Sequence, residues 1–331
     1  MITKSFAFDC LLITVLLITA PPAGAQQPEK ILRAGFLDSS TASTSAARVE
    51  AFRQEMHKLG WIEGKNIAIE YRFAEQKPQR LPELAAAFVG LKVDLIVVTS
   101  NPAALAAKNA TATIPIVMTS STDPVGIGLI ASLARPGGNV TGLSSLAPEL
   151  NTKRLELLKD TVPKLARVGL LQWPEPSTTS DLQLNALRPA ALALKLKLED
   201  IEMPADAKDL EIVFQTTKQK HINAIMTIPD PRFFDERKRL VELAGKYQLP
   251  AIYPQKEYAE VGGLMSYGMD SNDLYRRAAG YVDKILKGAK PADLPVQQAT
   301  KFEFVINLKA AKQIVLTIPP RVLERANRVI K

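Results

Sequence analysis

The stretch Val93–Met118, VDLIVVTSNPAALAAKNATATIPIVM, decides the fold. Its Asp94–Val98 segment (DLIVV) is apolar without alternation, the pattern of a strand buried on both faces. Asn101-Pro102 then opens a helix, with Asn at the cap and Pro at the first position, where a missing N–H leaves nothing unpaired. Ile114–Met118 is apolar again. Strand, helix and strand in that order make a parallel unit with its crossover. The same grammar extends upstream. Ile31–Leu37 reads as a strand, and Thr44–Leu59 places Val49, Phe52, Met56 and Leu59 at helical spacing before Gly60 stops the run. Asn66–Phe73 reads as a strand, and Leu81, Leu84, Ala85, Phe88 and Leu91 mark a helix. Val140–Ser144 is a further strand.

After a helix at Lys153–Val162 the pattern restarts. Arg167–Leu171, Leu196–Ile201, Ala224–Ile228 and Ala251–Tyr253 read as strands, with Leu182–Leu194 the first of the helices between them. Ile222–Tyr253 repeats the design of Val93–Met118, with Asp230-Pro231 at the helix start and Leu249-Pro250 before the next strand. The fold expected is α/β, with two Rossmann-like parallel-sheet lobes. The tail carries extra material: Leu264–Met269, a helix through Leu274, Ala278, Tyr281, Val282 and Ile285 with Gly288 as stop, then Phe302–Leu308. It exceeds what a second lobe needs, so the chain is expected to return to the first lobe and cross again, making a multi-crossover hinge with a cleft between the halves.

The first 25 residues differ from the rest. Lys4 precedes an apolar run from Leu11 to Ala20, followed by Pro21-Pro22 and Ala23-Gly24-Ala25. A core of about ten apolar residues is too short to span a bilayer, and the small-residue site fits a secretory signal cut after Ala25. Cys10 lacks the small-residue setting of a lipoprotein signal and is the single cysteine, so the exported chain is expected to hold no disulfide, catalytic thiol or thiolate metal site. No later segment reaches about 18 apolar residues, so no membrane span is expected. With 42 Lys and Arg against 34 acids the chain is basic, but the charges are scattered and lack interleaved aromatics, which argues against nucleic-acid binding. His57 and His221 are solitary, no metal-binding pair spacing occurs, and no phosphate loop or nucleophile elbow is present. Neither cofactor nor metal is expected, and no catalytic residue is assigned.

In parallel sheets ligands sit beyond the carboxyl ends of the strands, and those loops can be read directly. In the first lobe they hold Ser39 and Ser40, then Thr99, Ser100 and Asn101, then Ser120 and Asp123. Hydroxyls ahead of helix N-termini attract anions, so a carboxylate is the expected guest. In the second lobe the loops carry Trp173 and Tyr253 for stacking and Asp230 to accept from an ammonium, and the hinge-side strand adds Tyr267. Each of these residue types also serves as an ordinary cap or turn former.

Several segments resemble the ABC-transporter substrate-binding proteins related to the tryptophan- and tyrosine-binding proteins. They are Phe52–Tyr71 (FRQEMHKLGWIEGKNIAIEY), Asp123–Gly126, Leu129–Gly142 (LIASLARPGGNVTG), Arg154–Lys159 (RLELLK), Asp230-Pro231, Gly262–Gly268 (GGLMSYG), Tyr275–Lys284 (YRRAAGYVDK) and Lys287–Pro295 (KGAKPADLP). They run in order along nearly the whole exported chain. The resemblance implies a type I periplasmic binding protein that closes on a small molecule, an amino acid or similar small carboxylate with aromatic ones included, and delivers it to an ABC permease and ATPase. It implies a monomer in the periplasm. Residues 1–25 would be the signal, 30–145 with about 268–298 the first lobe, and 146–267 with about 299–331 the second. Ser100-Asn101-Pro102 and Trp173-Pro174-Glu175 depart from the loops usual in relatives, so ligand identity does not carry over. The alternatives are a sensing receptor for a membrane kinase and an exported two-lobe enzyme.

Overall fold

The computed structural model describes residues 31–173, 178–204 and 209–331. The leader, its cleavage site and Pro174-Glu175 lie outside the described residues. In chain order the elements begin with β1 (Leu32–Asp38), α1 (Ala42–Lys58), β2 (Ile67–Phe73), α2 (Leu81–Gly90), β3 (Leu95–Val98), α3 (Asn101–Ala110), β4 (Ile116–Thr122) and β5 (Val140–Ser145). Then come α4 (Ala147–Thr161), β6 (Arg167–Gln172), α5 (Thr178–Ala193), β7 (Lys197–Glu202), α6 (Leu210–Gln219), β8 (Ala224–Thr227), α7 (Pro231–Asp235), α8 (Arg237–Lys246), β9 (Ala251–Tyr253), α9 (Lys256–Glu260) and β10 (Met265–Met269). The chain closes with α10 (Ser271–Leu286), β11 (Gln297–Gln298), β12 (Phe302–Asn307), α11 (Leu308–Gln313), α12 (Pro320–Leu323) and β13 (Arg328–Ile330).

These strands form two sheets, ordered β11-β5-β4-β3-β1-β2 and β13-β12-β10-β9-β8-β6-β7. Pairing is parallel except between β10 and β12, where Met265 faces Ile306 and Met269 faces Phe302 in antiparallel register. The tail strand β12 is thus a reversed one in an otherwise parallel sheet. It reverses because the chain re-enters the second sheet from β11 at the hinge edge, without a helix to carry it back to the far end.

Apolar clusters cover both faces of each sheet, which is why the central strands are continuous hydrophobic runs. On the first sheet Ile96, Val98, Ile116 and Met118 pack under Ala85, Phe88, Ala103 and Ala107 of α2 and α3. On its other face Phe36, Val97 and Val117 meet Phe52 and Met56 of α1 and Leu274, Ala278 and Val282 of α10. An element late in sequence therefore completes the first lobe. On the second sheet Leu170, Met226, Ile252 and Met265 face α4 and α5, while Leu171, Ile225, Ala251 and Tyr253 face α6 to α9. A fully buried Phe or Leu contributes about 1.5–3 kcal/mol, so each face is a substantial core.

The chain passes between the sheets at three places: after β5, between β10 and α10, and between β11 and β12. The later two passages run side by side, with Asp270 N–H donating to the Lys301 carbonyl at 3.0 Å. One local device aims the first lobe's rim. The β4–β5 register shifts between Met118 and Ser121, and Gly142 of β5 sits at φ +126° with its missing Cβ 2.3 Å from the Met118 carbonyl oxygen. Only glycine allows that approach, and the irregularity takes Thr119 and Ser120 out of the regular ladder near the carboxyl end of β4.

Candidate functional site

On the first lobe the turn after β1 is built around Asp38, which is buried. Its carboxylate accepts from the Ser40 N–H at 2.8 Å, the Ser40 hydroxyl at 2.9 Å and the Ser45 hydroxyl at 2.6 Å. Ser40 is thereby committed to the turn. Ser39 shares a hydroxyl–hydroxyl bond with Ser100, and Ser100 caps α3 by accepting from Ala103 N–H. Asn101 is buried and fully engaged: it donates to the Thr122 carbonyl and accepts from the Ser121 hydroxyl and Thr122 N–H. It fixes α3 to β4. Ser120 is half-buried at the end of β4, and Asp123 is exposed at φ +45°, accepting from Gly126 N–H at 2.9 Å as the head of a turn.

On the second lobe Asp230 caps α7 and accepts from Arg232 three times: from its N–H at 2.8 Å, Nε at 3.1 Å and Nη2 at 2.8 Å. An incoming ammonium would share this carboxylate with Arg232. The same guanidinium lies 4.9 Å from the Trp173 ring centre, and Trp173 packs on Phe233 at 5.4 Å. Tyr253 is buried and stacked on Tyr258 of α9, 4.5 Å apart and 7° from parallel. Tyr267 turns its ring to Phe302 and Phe304 within its own lobe and offers its carbonyl to Arg154.

A line of ring and cation contacts links the two lobes. Tyr253 stacks on Tyr258, Tyr258 meets Phe234 edge-on at 6.0 Å, and the Arg48 guanidinium lies 5.7 Å from both Phe234 and the Tyr275 ring of the first lobe. Beside it the Thr44 hydroxyl donates to the Asp235 carboxylate across the same boundary. Burial disfavours charge on Arg48, but Tyr275, Asp38, Glu257 and Asp235 together outweigh it and raise its pKa. Burial pushes the Tyr275 phenol up to about 12, partly offset by Arg48 and by the facing Thr119 and Thr99 hydroxyls. Tyr253 and Tyr258 are likewise shifted up by burial, so these phenols stay protonated donors.

Several polar atoms on the second lobe are buried without a hydrogen-bond partner: the Thr227, Tyr253, Tyr258 and Ser266 hydroxyls, Gln255 Oε1 and Trp173 Nε1. Tyr253 and Ser266 are register partners, and Thr227 follows the pair Met226–Ile252 by one position. A row of hydroxyl-bearing residues thus crosses three adjacent strands, at the last positions of β8 and β9 and the second position of β10.

Sequence reading named residues in the loops after the strands and did not name Arg48, Phe234, Tyr258, Tyr275, Thr227 and Ser266, which the structure places beside them. Arg48 had a signal: it falls between Ser45 and Phe52 on the buried stripe of α1, a place where a cation needs a reason. Thr227 and Ser266 lie inside strand runs, where a small hydroxyl is an unremarkable core residue. Both histidines are exposed and away from strand ends, and no group of three or more metal-ligating side chains occurs among the described residues. No helix among the described residues is long and apolar enough to cross a membrane.

Two doubly wound lobes joined by three passages, with polar and aromatic side chains converging between the sheet edges, define a type I periplasmic binding protein. Such folds share one sheet plan across many ligands, so sequence decides the family. The profile described as ABC transporter substrate binding protein matches residues 42–330, and the chain belongs to that family. It is 28% identical to a tyrosine-binding protein of Clostridioides difficile (strain R20291) over 80% of this chain and 75% of the relative. A conserved domain protein of Vibrio cholerae superposes with a TM-score of 0.82 at 30% identity, covering 91% of this chain and 100% of the other. A Streptococcus pneumonia structure in complex with L-Trp gives 0.81 at 27% identity, covering 90% and 99%. The ligand-free, open structure of a Clostridium difficile substrate-binding protein with adhesive properties gives 0.67 at 26%, covering 91% and 99%.

Proposed function

We propose that the protein is the solute receptor of an ABC importer, working in the periplasm as a monomer after cleavage near Ala25. It closes its lobes on an amino acid or similar small carboxylate, aromatic ones included, and hands the solute unaltered to a membrane permease and its ATPase. Residues 30–145 with about 268–298 form one jaw, and 146–267 with about 299–331 the other. The observation that carries this reading is the set of buried hydroxyls without a partner on adjacent strands of the second lobe, Thr227, Tyr253 and Ser266, across from the hydroxyl-rich loops of the first. Each such group costs about 1–3 kcal/mol while unpaired, so a solute with several polar groups gains by satisfying them. Ser39, Thr99, Ser100 and Ser120 surround the anionic end near the α3 N-terminus, with Asp123 at the rim. Trp173 and Tyr253 offer rings, and Asp230 shares an amine with Arg232.

The similarity to relatives supports lobe movement. Overlap falls from 0.81 with the L-Trp complex to 0.67 with the ligand-free, open relative at nearly equal identity. The Thr44–Asp235 and Arg48–Phe234 contacts hold only while the lobes are together, so they couple solute binding to closure. The test is a thermal-shift and calorimetric panel of amino acids and small carboxylates. A true ligand at 100 times its dissociation constant adds about 2.7 kcal/mol of stability. The solute should be recovered chemically unchanged, and its turnover would end this reading.

A further inference from the structure

Arg232 is a cation standing where the second lobe would read a solute's amine. Asp230 comes shortly after β8 and caps α7, and Trp173 follows β6, the strand beside β8. The far end of α7 meets the first lobe, through Asp235 with Thr44 and Phe234 with Arg48. The segment from Asp230 to Asp235 therefore lies along the boundary between the lobes. It can be reached from solvent: the Asp230 side chain is 14% exposed and that of Arg232 32%. Burial raises the Tyr258 phenol's pKa, and Tyr253 and Asp230 add to the shift, so Asp230 stands near the Tyr253–Tyr258 stack.

A carboxylate recognises an ammonium through free lone pairs and an uncancelled negative charge. Asp230 has little of either. Its Oδ1 accepts from the Arg232 N–H at 2.8 Å and Nε at 3.1 Å, and its Oδ2 accepts from Nη2 at 2.8 Å. A carboxylate offers about four acceptor positions, so one residue fills most of them. The same contacts form an ion pair that cancels the charge. The guanidinium is braced from another side by the Trp173 ring at 4.9 Å, and Trp173 is itself held by Phe233 at 5.4 Å. Pro231, between the partners, fixes its own φ and limits how far they can drift apart. An ammonium arriving here meets a neutral pair. It must either displace Arg232 from both carboxylate and ring, or stand beside a like charge.

We propose that Arg232 sets the solute class by cancelling Asp230, so that the receptor takes small carboxylates lacking an α-amine in preference to the matching amino acids. This rests on the solute-receptor reading and narrows it: the anionic end stays with the first-lobe hydroxyls, and the second lobe withholds the counter-charge that an amine needs. Arg232 acts through Asp230 and is a positioning residue, with no contact to the solute required.

The test measures calorimetric affinities of the purified chain for solute pairs that differ only in that amine: L-phenylalanine against 3-phenylpropionate, L-leucine against 4-methylpentanoate, and L-alanine against propionate. In the wild type the acid without the amine binds more tightly within each pair that binds. Arg232→Met keeps an apolar stem over Trp173 and frees Asp230, so the order reverses and the amino acid gains at least tenfold in affinity. Arg232→Lys keeps a cation beside Asp230 and therefore the wild-type order, a rescue that a purely structural role would not give. The wild-type comparison decides the matter even should the Met variant fail to fold. A wild type that binds the amino acid as tightly as its partner, or more so, overturns the proposal. So does an Arg232→Met chain with the wild-type order, or an Arg232→Lys chain with the reversed one. Each of these leaves the solute-receptor reading standing, whereas indifference of the wild type to every solute tried counts against both.

Discussion

At the residue scale the candidate site is a set of buried hydroxyls and phenols whose sign of effect differs between stability and binding. Thr227→Val keeps the shape and removes an unpaired polar atom, so it raises ligand-free stability by about 1 kcal/mol in urea unfolding while weakening solute affinity. A parallel loss of stability would mean that the hydroxyl already has a structural partner. The phenols predict an alkaline limit. Tyr253, Tyr258 and Tyr275 all have raised pKa values through burial, with Tyr275 at about 12 against an ordinary 10.0. A raised acid pKa means the native state holds its proton longer than the unfolded chain. Stability from this source is therefore complete below pH 10 and is lost as pH climbs from 10 toward 12. The slope is about 1.4 kcal/mol per pH unit for each such tyrosine, and Tyr275→Phe should remove one share of it in unfolding measured across that window.

At the element scale α1 does two jobs that its sequence keeps on one face. Phe52 and Met56 anchor it to the first sheet, while Thr44 and Arg48, nearer its N-terminus, reach α7 of the other lobe. The pair Thr44→Val and Asp235→Asn should enlarge the ligand-free radius of gyration in X-ray scattering. It should also lower solute affinity by roughly 3- to 10-fold, the effect of one hydrogen bond of ~1 kcal/mol made only in the closed form. An unchanged radius and affinity would show that this contact does not bias closure. The short elements explain some of what pattern reading missed. β11 has two residues, α7 and α9 five each, and α12 four, too few for either hydrophobic period to register. Asp230 shows the opposite case: Asp-Pro marked the helix start correctly, but nothing in that dipeptide reveals that Arg232 turns back onto the carboxylate.

At the scale of the whole molecule the alternation of apolar strands and helices was enough to give two parallel-sheet lobes, because strands buried on both faces must be hydrophobic throughout and their crossovers must be helical. Asp94–Val98 and Asn101-Pro102 carry that information locally. The surplus of tail elements led to the expectation of a return to the first lobe, but local pattern did not say which element packs there. α10 reads as one more amphipathic helix, and only its packing against α1 and the first sheet shows that the chain has gone back. The same holds for the antiparallel seating of β12 on β10. The sequence by itself determined the fold class and the order of strands and loops that builds it. Tertiary structure alone decided that Arg48, Phe234, Tyr258 and Tyr275 stand in one line and that Thr227 and Ser266 flank Tyr253. The physical reason is that propensity and periodicity act between residues a few positions apart. Charge compensation and hydroxyl pairing depend on neighbours brought together from distant parts of the chain.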